Sequence, residues 1–126
     1  MKTPASYPNK NVRFPHYGEI WDINFEPAIG SEIGKTRPAL VVSNDINNQF
    51  ADIVTVLPLT SQPASRRYPF EVVIPGNIGG LTTESRIKAN QIRSLDKQRL
   101  FRFRGTLPEQ YIVQVKEAIR IHLNMK

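Results

Sequence analysis

The sequence predicts a small, mostly antiparallel β fold, a strongly bent barrel or sandwich covered by one C-terminal helix. Three observations carry this. Five or six short runs rich in β-branched and aromatic residues follow one another closely, separated by Gly, Pro and Asn. The hydrophobic period then changes once, from two to 3.6, beyond Thr106. Finally, 126 residues without a cysteine suit one domain whose core rests on packing alone, with neither disulfides nor a thiolate metal site.

Taken in order, residues 1–16 are rich in Pro, Asn and Lys and lack periodicity. They are expected to form a flexible arm ahead of a single domain over residues 17–126. Trp21, Ile23 and Phe25 alternate with Asp22, Asn24 and Glu26, the pattern of a half-buried strand. Ala39–Ser43 and Ile53–Leu59 are apolar on both faces, as central strands are. Between them, Asn44-Asp45-Ile46-Asn47-Asn48-Gln49 reads as a turn or a single helical turn.

Phe70–Ile74 reads as a further strand, stopped by Pro75-Gly76-Asn77, and Gly79-Gly80 opens another loop. Arg86–Arg93 and Leu100–Arg104 read as two later strands joined by Ser94-Leu95-Asp96-Lys97. Thr106-Leu107-Pro108-Glu109 has the form of a capping box with proline in the first turn. After it, Tyr111, Ile112, Val115, Ala118, Ile119, His122 and Leu123 share one helical face, which would cover the barrel. There is no internal repeat, linker or second domain.

The formal charge is +6 and lies almost wholly in the second half. Residues 1–63 hold five Lys or Arg against six acids, and residues 64–126 hold twelve against five. Such asymmetry suits a polyanionic partner or, equally, a solvated basic face. No apolar run reaches membrane-spanning length and the N-terminus has no hydrophobic signal core, so a cytoplasmic protein without a membrane partner is expected.

The chemistry is bounded by what is missing. The histidines are His16 and His122, the latter on the apolar helix face where a core or rim role is expected. The acids show no Asp-x-Asp spacing, so neither a bound metal nor another cofactor is expected. Gly30–Arg37 fails the Gly-x-x-x-x-Gly-Lys-Ser/Thr pattern of a nucleotide loop.

What remains is Arg, Thr, Ser and Gln presented from strand ends. Pro38 fixes its own φ and biases Arg37 towards an extended conformation, so a guanidinium stands at the mouth of a buried strand. That placement suits bidentate binding of phosphate. Thr60, at the end of Ile53–Leu59, can donate to another phosphate oxygen, or be a sheet threonine with a satisfied hydroxyl. This residue set fits phosphoryl transfer in which an RNA 2′-OH is the nucleophile. The protein then need only align the reacting atoms and stabilise charge on the phosphorane.

Five ordered segments point the same way. They are Gly18–Pro27, which opens Gly-Glu-Ile-Trp; Gly30-Ser31-Glu32-Ile33-Gly34-Lys35-Thr36-Arg37-Pro38 with its strand ending Ser43-Asn44-Asp45; Val56–Gln62; Tyr68–Val73; and Asn90–Leu100. Together, over residues 18 to about 123, they resemble the MazF/PemK family of toxin endoribonucleases. The resemblance implies an SH3-like barrel of the CcdB/PemK type, a two-fold homodimer, and an antitoxin partner with an acidic, disordered tail. It implies metal-independent cleavage of single-stranded RNA to 2′,3′-cyclic phosphate and 5′-hydroxyl ends.

The family's catalytic pair falls on Arg37 and Thr60. The family's arginine is often given a proton-transfer role, but a guanidinium stays protonated at neutral pH and is better suited to electrostatic stabilisation. Ser31, Glu32, Lys35, Ser61, Gln62, Asn90 and Gln91 are expected substrate contacts, although Ser31 and Glu32 can equally serve to order the loop. Arg66, Arg67 and Arg86 are backbone contacts or a solvated face, and Tyr68 and Phe70 stack a base or join the core. Tyr17 stands where many members carry a basic residue, and Asn90 where some carry an acid, departures that bear on which RNA sequence is cut. The alternatives are a topoisomerase poison on the same fold, which lacks the Arg-Pro and Thr-Ser-Gln motifs, and a non-cleaving RNA-binding module.

Overall fold

The computed structural model describes residues 14–63 and 66–126, which form seven strands and two helices. The strands are β1 (Glu19–Asn24), β2 (Thr36–Val41), β3 (Ile53–Thr60), β4 (Glu71–Ile74), β5 (Ser85–Lys88), β6 (Arg93–Asp96) and β7 (Leu100–Thr106). Helix α1 (Asp45–Phe50) links β2 to β3, and α2 (Glu109–His122) ends the chain. Every pairing is antiparallel, in the order β4-β5-β3-β2-β1-β7, with β6 also on β3. The fold class is therefore as expected, mostly antiparallel β with a C-terminal helix.

Strand β3 produces the bend. Along one edge its first half pairs with β6, from Ile53–Asp96 to Val56–Arg93, and its end pairs with β5 at Leu59–Ile87 and Thr60–Arg86. Two register shifts between β1 and β7, after Ile20 and after Asp22, add curvature at the opposite side, as bulges do.

The curved sheet buries both faces of its centre. Leu40, Leu57, Leu59 and Ile20 pack towards Ile112, Val115 and Ala118 of α2. Ala39, Val41, Val54 and Val56 point the other way, onto Trp21, Ile23, Phe25 and Leu95. At about 25 cal/mol per Å², a fully buried aliphatic side chain contributes about 2 kcal/mol. The two-sided apolar runs of β2 and β3 contribute to both clusters.

Four details differ from the sequence expectation. Arg86–Arg93 is not one strand: a 3-10 turn over Ala89–Gln91, closed by Ile92 N–H donating to the Ala89 carbonyl at 3.2 Å, separates β5 from β6. Ser94–Asp96 consequently belongs to a strand, and a second 3-10 turn, Lys97–Arg99, leads into β7. Thr106 is no helix cap, because it lies in the ladder opposite Glu19; Pro108 occupies the cap position with no side-chain capping bond. Leu123 lies beyond the covered part of the helix face and is exposed, while His122 takes the expected rim place, exposed but with its ring 5.8 Å from that of Phe70.

The single turn at Asn44–Gln49 is helical, and Asn44 Oδ1 caps it by accepting from Asn47 N–H at 2.8 Å. Of the expected flexible arm, residues 1–13 lie outside the described residues. Pro15 is buried, and Phe14 stacks on His16 with ring centroids 4.1 Å apart. No helix among the described residues is long and apolar enough to cross a membrane.

Candidate active site

The β2–β3 register creates the site. It pairs Ala39 with Pro58, and two residues further towards the open end it sets Arg37 opposite Thr60. Arg37 Nη1 lies 3.4 Å from Thr60 Oγ1, a long contact, and Arg37 Nε donates to the Gly34 carbonyl at 2.8 Å. The guanidinium is therefore aimed by the loop that precedes its own strand. Thr60 Oγ1 also accepts from Gln62 N–H at 3.2 Å. Both known bonds to this oxygen are accepted ones, which leaves the hydroxyl hydrogen available to a ligand.

Beyond Thr60 the chain is held by Arg86. Its Nε and Nη2 donate to the Gln62 carbonyl at 3.3 and 2.9 Å, and its Nη1 to Glu71 Oε1 at 2.7 Å. Lys88 Nζ pairs with the other oxygen of Glu71 at 3.1 Å, and the Glu71 side chain is only 1% exposed. All three guanidinium nitrogens of Arg86 are thus used inside the protein. Ser61, Gln62, Arg66, Arg67 and Arg86 border a cavity of about 490 Å³ that opens from Thr60.

A second cavity, of about 470 Å³, lies towards β6 and gathers Ser31, Glu32, Asn90, Gln91, Arg93 and Phe25. Several of these polar groups also order the loop. Glu32 Oε1 accepts from Ile29 N–H at 2.8 Å, and Gln91 Oε1 accepts from Ile33 N–H at 3.3 Å. Glu26 holds the two ends of the loop together, through Ala28 N–H at 3.1 Å and Lys35 N–H at 2.9 Å. Asn90 Oδ1, by contrast, is buried with no hydrogen-bond partner among the described residues. Lys35, with φ of +65°, borders none of these cavities.

A third cavity, of about 260 Å³, joins Arg37, Thr60 and Ser61 to Thr83, Ser85 and Arg104. No carboxylate or imidazole borders it. Among the described residues no three His, Asp or Glu side chains converge as a metal site would require.

The model of the PemK-like, MazF-like toxins of type II toxin–antitoxin systems matches residues 16–123. The chain belongs to that family. It is 40% identical over 113 residues to endoribonuclease MazF9 of Mycobacterium tuberculosis, which covers 86% of this chain and 95% of that protein. Endoribonuclease EndoA of Bacillus subtilis is 36% identical over 106 residues, 84% of this chain and 91% of its own length. The crystal structure of MazF from Deinococcus radiodurans matches with a TM-score of 0.79 at 30% identity, over 90% of this chain and 100% of that one.

In this MazF-like toxin the two strand ends bring Arg37, Thr60 and Ser61 to one place, with Gln62, Arg66 and Arg86 on one side and Ser31, Glu32, Asn90 and Gln91 on the other. Sequence reasoning missed Thr83, which borders two of the cavities, and the place of Arg93 and Arg104 within them. Arg93 lies over the Phe25 ring, 5.8 Å from its centroid. The Gly79-Gly80 signal marked the loop that carries Thr83, but nothing local to Arg104 places it near Arg37. Phe70 stacks on Tyr68 at 5.0 Å and packs against the core under α2, so of the two aromatics only Tyr68 is exposed.

Proposed function

We propose that this MazF-like toxin is an endoribonuclease that cuts single-stranded RNA by metal-independent transesterification. One observation carries the mechanism: the Arg37 guanidinium and a Thr60 hydroxyl with an unspent hydrogen share the end of one antiparallel strand pair. The RNA 2′-oxygen attacks the adjacent phosphorus and the bond to the 5′-oxygen breaks. The proton lost by the 2′-OH is balanced by the one the leaving oxygen gains. The products are a 2′,3′-cyclic phosphate and a 5′-hydroxyl.

Arg37 stabilises the charge that grows on the non-bridging oxygens, and Thr60 donates to one of them. The cavity that Arg37 and Thr60 border is lined by guanidinium and hydroxyl groups, and these supply the charge stabilisation that the proposed reaction needs. Arg86 positions the Thr60–Gln62 segment. Ser31, Glu32, Asn90 and Gln91 border the second cavity, where a base beside the cut would be read.

The MazE–MazF complex of Deinococcus radiodurans matches this chain with a TM-score of 0.72 at 27% identity, covering 91% of this chain and 100% of that one. It supports a cognate antitoxin as partner here, its acidic tail opposed to the basic second half of the chain. The family resemblance implies that the chain acts as a two-fold homodimer.

The test is incubation of the purified protein with a long single-stranded RNA in EDTA, beside Arg37→Ala and Thr60→Ala. Discrete products with cyclic-phosphate ends, lost in both variants, are expected. Intact RNA from the folded wild-type protein would overturn the proposal.

A further inference from the structure

Arg104 reaches the Arg37–Thr60 cavity from the far side of the sheet. It stands on β7, which pairs with β1, while Arg37 stands on β2. β1 lies between them, and the register offsets them as well: Arg37 pairs with Ile23, while Arg104 stands level with Ile20 and Trp21. Two strand spacings and two to three residues of rise put their backbones roughly 12–14 Å apart. Both arginines nevertheless border the same cavity of about 260 Å³. Its remaining polar wall is made of hydroxyls, among them Thr60, Thr83 and Ser85.

The charge of Arg104 is fixed in place and only partly neutralised. Asp22, 4% exposed, accepts from Arg104 Nε at 2.9 Å through Oδ1 and from Arg102 Nε at 2.6 Å through Oδ2. One carboxylate thus serves two guanidiniums, and one positive charge is left over. Arg104 Nη1 donates to the Gly80 carbonyl at 3.1 Å. Its Nη2 has no partner among the described residues, and its side chain is 22% exposed.

The Gly79-Gly80 pair explains why this arrangement holds. A Cβ on Gly80 would lie 2.1 Å from the Arg104 carbonyl oxygen, at a φ of +79°. A Cβ on Gly105 would lie 2.7 Å from Gly79. Only glycine lets the two backbones meet, and the loop that follows brings Thr82 and Thr83 to the cavity that Arg104 borders.

We propose that Arg104 is a second phosphate-binding residue, holding the RNA phosphodiester next to the one that Arg37 contacts. A held, half-compensated guanidinium with a free edge suits a phosphate oxygen, and the separation from Arg37 suits a neighbouring phosphate. This rests on the reading of Arg37 and Thr60 as the site where RNA lies.

Arg102 supplies the control. It shares Asp22 with Arg104 and carries the same charge, but its side chain is 62% exposed and it borders none of the three cavities. The experiment is binding of an uncleavable, fully 2′-O-methylated single-stranded RNA, followed by fluorescence anisotropy over a range of KCl. Arg104→Gln is expected to weaken binding about tenfold, the scale of one charged hydrogen bond. It should also make the log–log salt slope shallower by about 0.7, one phosphate on a single strand. Arg102→Gln should leave the slope at the wild-type value.

A wild-type slope in Arg104→Gln, or the same change in both variants, would overturn the proposal, the second because it would trace to Asp22 or to net charge. Wild-type protein that fails to bind this RNA would overturn it together with the reading it rests on. Protein that binds with the expected slopes but cuts no cleavable RNA would keep the Arg104 site and sink the nuclease.

Discussion

Thr60 has its two known hydrogen bonds on the oxygen and its hydrogen to spare, which makes the hydroxyl, rather than the shape of the side chain, its contribution. Thr60→Val keeps the shape and removes the donor. Its single-turnover cleavage rate is expected to fall by about 10² to 10³, the usual loss for one donor to a developing oxyanion, while its melting temperature changes little. Thr60→Ser restores the donor and most of the rate. Arg37 could be located in the sequence because Pro38 constrains it and the apolar run behind it is a strand. Arg104 could not, because its place beside Arg37 depends on two strand pairings through β1, between residues far apart in the chain.

Residue-scale chemistry also acts at Lys97. Burial lowers its pKa from 10.5 to about 8, and its ammonium donates to the Asn48 carbonyl at 2.9 Å. In the unfolded chain the proton is held up to the ordinary value. Below about pH 8 the cost of burying the charge is fully present, and between about 8 and 10.5 the unfolded state binds more protons, so this contribution to stability rises with pH. The urea midpoint of wild type, measured against Lys97→Met to cancel other titrations, is expected to climb through that window.

At the scale of elements, β4 and β5 support the site through one buried carboxylate. Glu71 holds Arg86 and Lys88, and Arg86 holds the Gln62 carbonyl just past Thr60. Glu71→Ala leaves two cations without their buried partner and is expected to cost about 3 kcal/mol in urea unfolding. It should also slow cleavage under conditions where the protein is fully folded, because the Thr60–Gln62 segment loses its tether. Gly80→Ala, forced against the Arg104 carbonyl at positive φ, is expected to lower stability by about 2 kcal/mol or more, read from the same melts.

β2 and β3 are legible by unbroken apolar runs and α2 by its helical period. The alternation in β1 predicts a half-buried strand, but Glu19–Ile23 are buried on both faces, since Ile20 joins the core under α2 and Asp22 pairs with Arg102 and Arg104. The break between β5 and β6 was not legible. In Arg86–Arg93 the apolar positions Ile87 and Ala89 are out of phase with Ile92, and both halves must fit one edge of β3, a long-range demand that the turn at Ala89–Gln91 answers. Thr106 looked like a cap because the local motif was right, but its pairing opposite Glu19 claims it for the sheet.

For the molecule as a whole, a basic second half and a two-sided core that fixes β2 against β3 frame a site proposed to use the RNA's own 2′-oxygen as nucleophile. The family places the chain among toxins, and its relatives MazF9 and EndoA are named endoribonucleases. The partner expected to restrain it is an acidic tail competing for the same basic surface. Adding the cognate antitoxin should therefore protect RNA, less effectively as salt rises.

The central claim is that the attacking atom belongs to the RNA. The direct measurement uses two RNAs with the preferred cleavage sequence, identical except for a single 2′-deoxy sugar on the 5′ side of the cut. The account predicts that the all-ribose strand is cut to a 2′,3′-cyclic phosphate, identified by mass spectrometry, and that the substituted strand binds equally well and stays whole. Cleavage of the substituted strand at that bond would contradict the account, since the nucleophile would then have to come from the protein or from water.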